Sequence, residues 1–114
     1  MVRYRSRKGK EGELELAKIL EKRFGSRFKR TPGSGGMDFK GDIFNKIGLH
    51  IECKRDEHLS IWKAMEQARG DSVGTRKTPV VIFRRNNDYW KVTLSLDDFC
   101  DIYDVYLEGL EEFK

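Results

Sequence analysis

At 114 residues, with 38% hydrophobic and 37% charged side chains, the chain suits one soluble domain, residues 1–114, with a modest core. No apolar run approaches the ~20 residues of a membrane span, and no secretory-leader pattern follows the charged opening. The net charge is +4, but residues 1–40 carry twelve Lys/Arg against five Asp/Glu, while residues 97–114 carry one Lys against seven acids. That split points to a polyanion met by one side of the molecule.

In chain order, residues 1–10 read as a basic arm. Arg3, Arg5, Arg7, Lys8 and Lys10 alternate with small or polar residues and suit sequence-independent contacts to phosphate. Glu11–Phe24 reads as a helix whose apolar stripe is Leu16, Ala17, Leu20 and Phe24, with Ile19 at its flank. Gly25 is its stop signal. Glu13 extends that stripe at the first turn, so it is a candidate inward-pointing acid. Glu11 and Glu15 have no such bias and suit the macrodipole alone.

A short strand, Arg27–Thr31, follows and includes Arg30, a further phosphate-contact candidate. Pro32–Asp38 is a Gly-rich loop containing Ser34. It lacks the Gly-Lys-Ser/Thr of a Walker A loop.

Residues 41–54 read as a β-hairpin. Leu49, Ile51 and Cys53 alternate with His50, Glu52 and Lys54, the period of a half-buried strand. The turn falls at Lys46, Ile47 and Gly48, where glycine takes a left-handed backbone cheaply. Ile43 then faces Ile51, and Asp42 faces Glu52. Two opposed carboxylates repel unless a cation lies between them, and a hard divalent ion such as Mg²⁺ is commonly held by one or two carboxylates. Lys54, two residues beyond Glu52, adds a positive charge where a phosphate would need one. Asp38 is the alternative to Asp42, but it falls beyond the strand end.

Ser60 is a helix N-cap. The helix runs from Ile61 to about Asp71, with Ile61, Ala64, Met65 and Ala68 buried and Lys63 and Gln67 beside them. Trp62 lies off the stripe. Thr78–Arg85 is a nearly continuous apolar strand, expected in the sheet centre. Arg84 and Arg85 close it and are phosphate-contact candidates. Asn86, Asn87 and Asp88 form a turn. The last strand, Tyr89–Leu94, puts Tyr89, Lys91 and Thr93 on one face and Trp90, Val92 and Leu94 on the other. Ser95 and Asp98 resemble a capping box. Phe99, Ile102, Tyr103, Tyr106, Leu110 and Phe113 then recur at helical spacing. This amphipathic, acidic tail, residues 101–114, must bury its stripe against the domain core or a partner subunit. Cys53 and Cys100 form no CxxC pattern. They suit free thiols in a reducing, intracellular setting and exclude a Cys-rich zinc site.

Asp42, a short gap, then Glu52-Cys53-Lys54 resembles the PD-(D/E)xK nuclease motif. The segment from Arg7 to Leu16, with Lys8-Gly9 before Glu13, is similar to the opening of archaeal and phage Holliday-junction resolvases. The resemblance covers roughly residues 7–100. It implies an α/β fold with a restriction-endonuclease-like core, a small mixed sheet of about five strands flanked by helices. The implied activity is metal-dependent endonuclease cleavage of four-way DNA junctions by a homodimer, in a cytoplasmic setting and, for a phage enzyme, the host's. Such enzymes serve recombination and repair. Asp42, Glu52, the Cys53 backbone carbonyl and Glu13 would hold Mg²⁺ or Mn²⁺, with Lys54 steadying developing charge. Gln67, on the helix after the motif, would approach the site, and Ser34 would meet DNA phosphate. His50 and His58 are given no catalytic role, since solvent or a metal-bound water would protonate the leaving oxygen. The alternatives are the same nuclease on flaps, damaged duplex or foreign DNA, a non-catalytic basic DNA-binding module, or a protein-interaction domain using the tail.

Overall fold

The strand carrying Glu52 is paired and covered in a way its alternation does not announce. The structure is a computed structural model that describes residues 7–25, 28 and 47–112. Its elements are α1 (Arg7–Phe24), β1 (Leu49–Arg55), α2 (Ile61–Ser72), β2 (Thr78–Arg84), β3 (Lys91–Thr93) and α3 (Leu96–Glu111). The sheet order is β1-β2-β3. β1 and β2 run parallel, with Glu52 beside Val81, and β2 and β3 run antiparallel, with Val81 beside Thr93. The sheet is therefore mixed, and β2 is central, as its continuous apolar run predicts. Three strands lie within the described residues rather than about five. Residues 27–31 and 41–45, where two more are expected, fall outside them apart from Phe28, so the first half of the predicted hairpin does too. Gly48 has φ +82°, the left-handed backbone expected at that turn. Its carbonyl accepts the Thr78 N–H at 2.8 Å.

Each sheet face has its own core. On one face Leu16, Ala17 and Phe28 pack with Ile51, Cys53, Val80 and Ile82. On the other, Ala64 and Ala68 of α2 pack on Val81, with Ile61, Met65 and Phe83 at the margin. Ser60 caps α2, its hydroxyl accepting the Lys63 N–H. No described helix is long and apolar enough to cross a membrane.

One expectation changes and another narrows. The arm does not extend to residue 10: Arg7, Lys8 and Lys10 belong to α1. Arg, Lys and Glu are good helix formers, and extending an existing helix costs far less than nucleating one. Gly12 lets α1 approach the sheet, since a Cβ there would lie 3.0 Å from the Arg55 Cβ. Of the two places expected to cover the tail, the domain core does not take it. From its Ser95 cap, α3 runs unbroken to Glu111 and buries no residue. Phe99, Tyr103 and Tyr106 stack along it at 5.6 and 5.3 Å, all exposed.

α1 is tied to the sheet by Glu15, to which the helical pattern gives only a macrodipole role. Its carboxylate accepts from Arg84 Nε and Nη2 at 2.8 and 2.9 Å and from the Trp90 indole at 2.8 Å. Arg55 lies 3.9 Å away, and the Arg84 guanidinium also lies over the Trp90 ring at 5.3 Å. One side chain thus joins α1 to the ends of β1 and β2 and the start of β3. The hydrogen bonds from Arg84 hold the Glu15 carboxyl below its ordinary pKa against the opposing pull of burial, helped by Trp90. A lowered folded pKa means this contribution is full above the usual glutamate range, ~4.3, and is lost as pH falls through the folded value. Glu15→Gln should cost about 1 kcal/mol at neutral pH, or roughly 4–8 °C in melting temperature, given its partial exposure. In thermal melts the gap between variant and wild type should close as pH drops below ~4.

Candidate active site

Strand alternation places His50, Glu52 and Lys54 on the face of β1 that α2 covers. The small Ala64 and Ala68 allow α2 to settle directly on Val81, the register neighbour of Glu52. β1 and β2 are parallel and joined through α2, so α2 runs back along them. Its last turn therefore lies beside the beginning of β1. Lys63, Gln67 and Asp71, four residues apart, form one row along α2, flanking the buried Ala64, Ala68 and Ser72. Asp71 ends that row next to His50 and Glu52.

The three side chains converge. One ligand atom from each of His50, Glu52 and Asp71 lies within 4.8 Å of the others. His50 Nε2 is 3.5 Å from Glu52 Oε1. His50 is 1% exposed and Glu52 0%, while Asp71 is half-buried. His50 Nε2 has no hydrogen-bond partner among the described residues. An imidazole nitrogen and two carboxylates, drawn together away from water, are a donor set that fits a divalent cation. Without positive charge the two acids would repel in a poorly screened setting. Lys54 shares their face and is half-buried.

The expected half-buried strand is corrected by this arrangement. Glu52 faces α2 rather than water, because the crossover helix of a parallel pair covers the second face. Of the other candidates, Gln67 is exposed, one turn before Asp71. The Cys53 side chain points into the opposite core, leaving its backbone as the only group available to the site. Glu13 is half-buried on α1, which packs on the far face, and it is not part of the cluster. Asp42, its alternative Asp38, Ser34, Arg30, Arg3 and Arg5 lie outside the described residues. Lys10 is exposed on α1. Arg84 is turned to Glu15, and Arg85 is the exposed member of that pair. His58 is exposed.

Sequence reasoning gave His50 no catalytic role and did not single out Asp71, so it did not bring the two together with Glu52. The signals were present: His50 stands two residues before Glu52, hence on its face, and Asp71 stands four after Gln67. What was lacking was the direction of α2 relative to β1. A separate groove of about 760 Å³ lies between α2 and β3, away from Glu52. Ile61, Trp62, Met65 and Phe83 line it, with Arg69, Arg85 and Lys91 among its charged residues.

The family described as "Phage putative PDDEXK endonuclease" matches residues 4–109. Protein D14 of Escherichia phage T5 is 26% identical over an alignment 113 positions long, which covers 80% of this chain and 71% of that protein. No solved structure matches.

The close seat of α2 makes a prediction. Ala68 is fully buried, so Ala68→Leu should lift α2 from β1, cost about 1–3 kcal/mol by overpacking and spread the three ligand atoms. Ala68→Gly should not spread them. A denaturation midpoint and a crystal structure of the variant would check both effects.

Proposed function

Because the chain belongs to the phage PDDEXK endonuclease family, we propose that it is a divalent-cation-dependent nuclease that hydrolyses DNA phosphodiesters, with a four-way junction as its substrate. The observation that supports this reading most directly is the buried Glu52 beside two further ligand groups, on the strand that presents Lys54. In the proposed enzyme Asp42 and Glu52 hold the cation, with the Cys53 carbonyl as an added oxygen ligand, while the expected Glu13 stays outside the site because α1 packs on the opposite face of β1. Mg²⁺ is the expected ion and Mn²⁺ a substitute. When bound, the cation neutralises phosphate charge and lowers the pKa of the attacking water. Lys54 sets an ammonium beside the scissile phosphate, where charge accumulates as the bond breaks. Gln67, exposed on α2 one turn before Asp71, is proposed as a further contact to the substrate. Arg3, Arg5, Arg7, Lys8, Lys10, Arg30, Ser34 and Arg85 supply backbone contacts, which fix position without reading sequence. Arg84, the other expected phosphate contact, is instead paired with Glu15 and donates to the Arg85 carbonyl at 2.9 Å. The setting proposed is the cytoplasm of the phage's host.

The test is cleavage of a synthetic four-way junction against a linear duplex of the same sequence. Paired cuts in the junction are expected in Mg²⁺ and none after chelation. Asp42→Asn and Glu52→Gln should each lower the rate at least ~100-fold, with circular dichroism unchanged. Equal cutting of linear duplex would remove the junction assignment and keep the nuclease. Binding without cutting of any DNA would leave a basic DNA-binding module.

The same reading takes two copies, since a four-way junction has two-fold symmetry and needs matched cuts. Supporting it is α3, whose Leu96, Phe99, Ile102, Tyr103, Val105, Tyr106, Leu107 and Leu110 are all exposed, an apolar surface of the kind that marks an interaction site. We assign the second copy to this face. Light scattering should give a dimer for wild type and a monomer for a Phe99→Asp, Tyr103→Asp double variant. A wild-type monomer at micromolar concentration would remove this assignment.

A further inference from the structure

We propose that His50 and Asp71 are metal ligands, forming with Glu52 a nitrogen-containing divalent-cation site at the start of β1. This rests on reading Glu52 as a cation ligand in the proposed nuclease and extends it to two residues outside the PD-(D/E)xK pattern. Two observations carry it. The three ligand atoms lie within 4.8 Å of one another. Independently, His50 is 1% exposed, yet its Nε2 has no hydrogen-bond partner among the described residues and points at Glu52 Oε1 from 3.5 Å. Burying a polar nitrogen without a partner costs free energy, and coordination would recover it.

Packing alone does not require histidine here. Register puts His50 beside Pro79, and apart from Glu52 and Lys54 on its own strand, the hydrophobic cluster on that sheet face is Ala64, Ala68 and Val81 with Phe83 at the margin. An aliphatic residue would fill the same space without an orphaned nitrogen. The donor set also sets the ion class. Mg²⁺ favours oxygen and retains its water, whereas imidazole suits first-row transition ions. The site should therefore prefer Mn²⁺ to Mg²⁺. Asp71 enters from the last turn of α2, so bound metal would also pin that helix to β1.

The experiment uses the full chain with MnCl₂ or MgCl₂ as the probe. Electron spin-echo spectroscopy of the Mn²⁺-loaded protein should show imidazole ¹⁴N coupling. The chain has two histidines, so His58→Ala should keep the signal and His50→Leu should lose it. Calorimetry should show Mn²⁺ binding weakened at least tenfold by His50→Leu and by Asp71→Asn, with Mg²⁺ binding much less affected. Asp71 is half-buried, so its variant provides the comparison if His50→Leu does not fold. The wild-type spectrum decides without either. Absence of ¹⁴N coupling in Mn²⁺-loaded wild type, or its loss with His58→Ala, would overturn the proposal. So would unchanged Mn²⁺ affinity in folded variants. If His50 proves not to bind metal while the junction is still cut in Mg²⁺, the nuclease reading stands alone. If Mn²⁺ binds through His50 and no DNA is cut, the metal site stands and the nuclease reading falls.

Discussion

A carboxylate with no access to solvent stands at the middle of β1, and the surrounding structure has to account for it. Burying an ionised acid is expensive unless positive charge and hydrogen bonds replace water. Glu52 is nevertheless placed beneath α2, beside an imidazole and a second carboxylate. A design for stability alone would put an apolar residue there, as β2 does with Val81. The cost is reasonable where the side chain is to hold a cation, because an ion there would add positive charge and the burial would keep competing water away. The surroundings follow from that need. Alanines at 64 and 68 bring α2 close, and the parallel pairing of β1 with β2 closes the second face.

Precision at such a site depends on elements that do not shift. β1 is held on one side by its register with β2, but its other face relies on α1, whose apolar stripe is short. Glu15 supplies what that stripe lacks. By accepting hydrogen bonds from Arg84 and Trp90 and lying near Arg55, it fixes the helix against all three described strands. The bidentate geometry with Arg84 gives direction as well as energy. Gly12 serves the same contact through absence, because a side chain there would push on Arg55.

How much of this was legible depended on sequence distance. The caps Ser60 and Ser95, the left-handed Gly48 and the strand faces of β1 and β3 follow from residues a few positions apart, and they were readable. The mixed sheet with a central β2 was readable from hydrophobic runs and the spacing of elements. The Glu15 pairs were not, since Arg84 and Trp90 are 69 and 75 positions away and a glutamate near a helix start has an adequate local explanation. Alternation in β1 suggested one wet face, because the pattern cannot distinguish water from a covering helix. His50 suffered from the same ambiguity, and Asp71 was visible only as the end of a helix. The site itself was half-readable: Glu52 and Lys54 from their spacing, their neighbours only once α2 is seen to run back along the strand.

The charge distribution assigns the two ends of the molecule different tasks. α1 opens with Arg7, Lys8 and Lys10, basic residues at the helix end where the macrodipole favours acids. That is locally unfavourable and becomes favourable when a polyanion shares the site. α3 is the reverse, with Asp97 and Asp98 in its first turn in accord with the dipole and no basic residue along its length. In the proposed nuclease, α3 laid against DNA would set a row of carboxylates beside phosphates, with repulsion screened only over about 8–10 Å at physiological salt. The helix therefore belongs on the side away from the substrate. Its apolar face is then free for protein contact, and under the same proposal the basic start of α1 would be the part to meet nucleic acid.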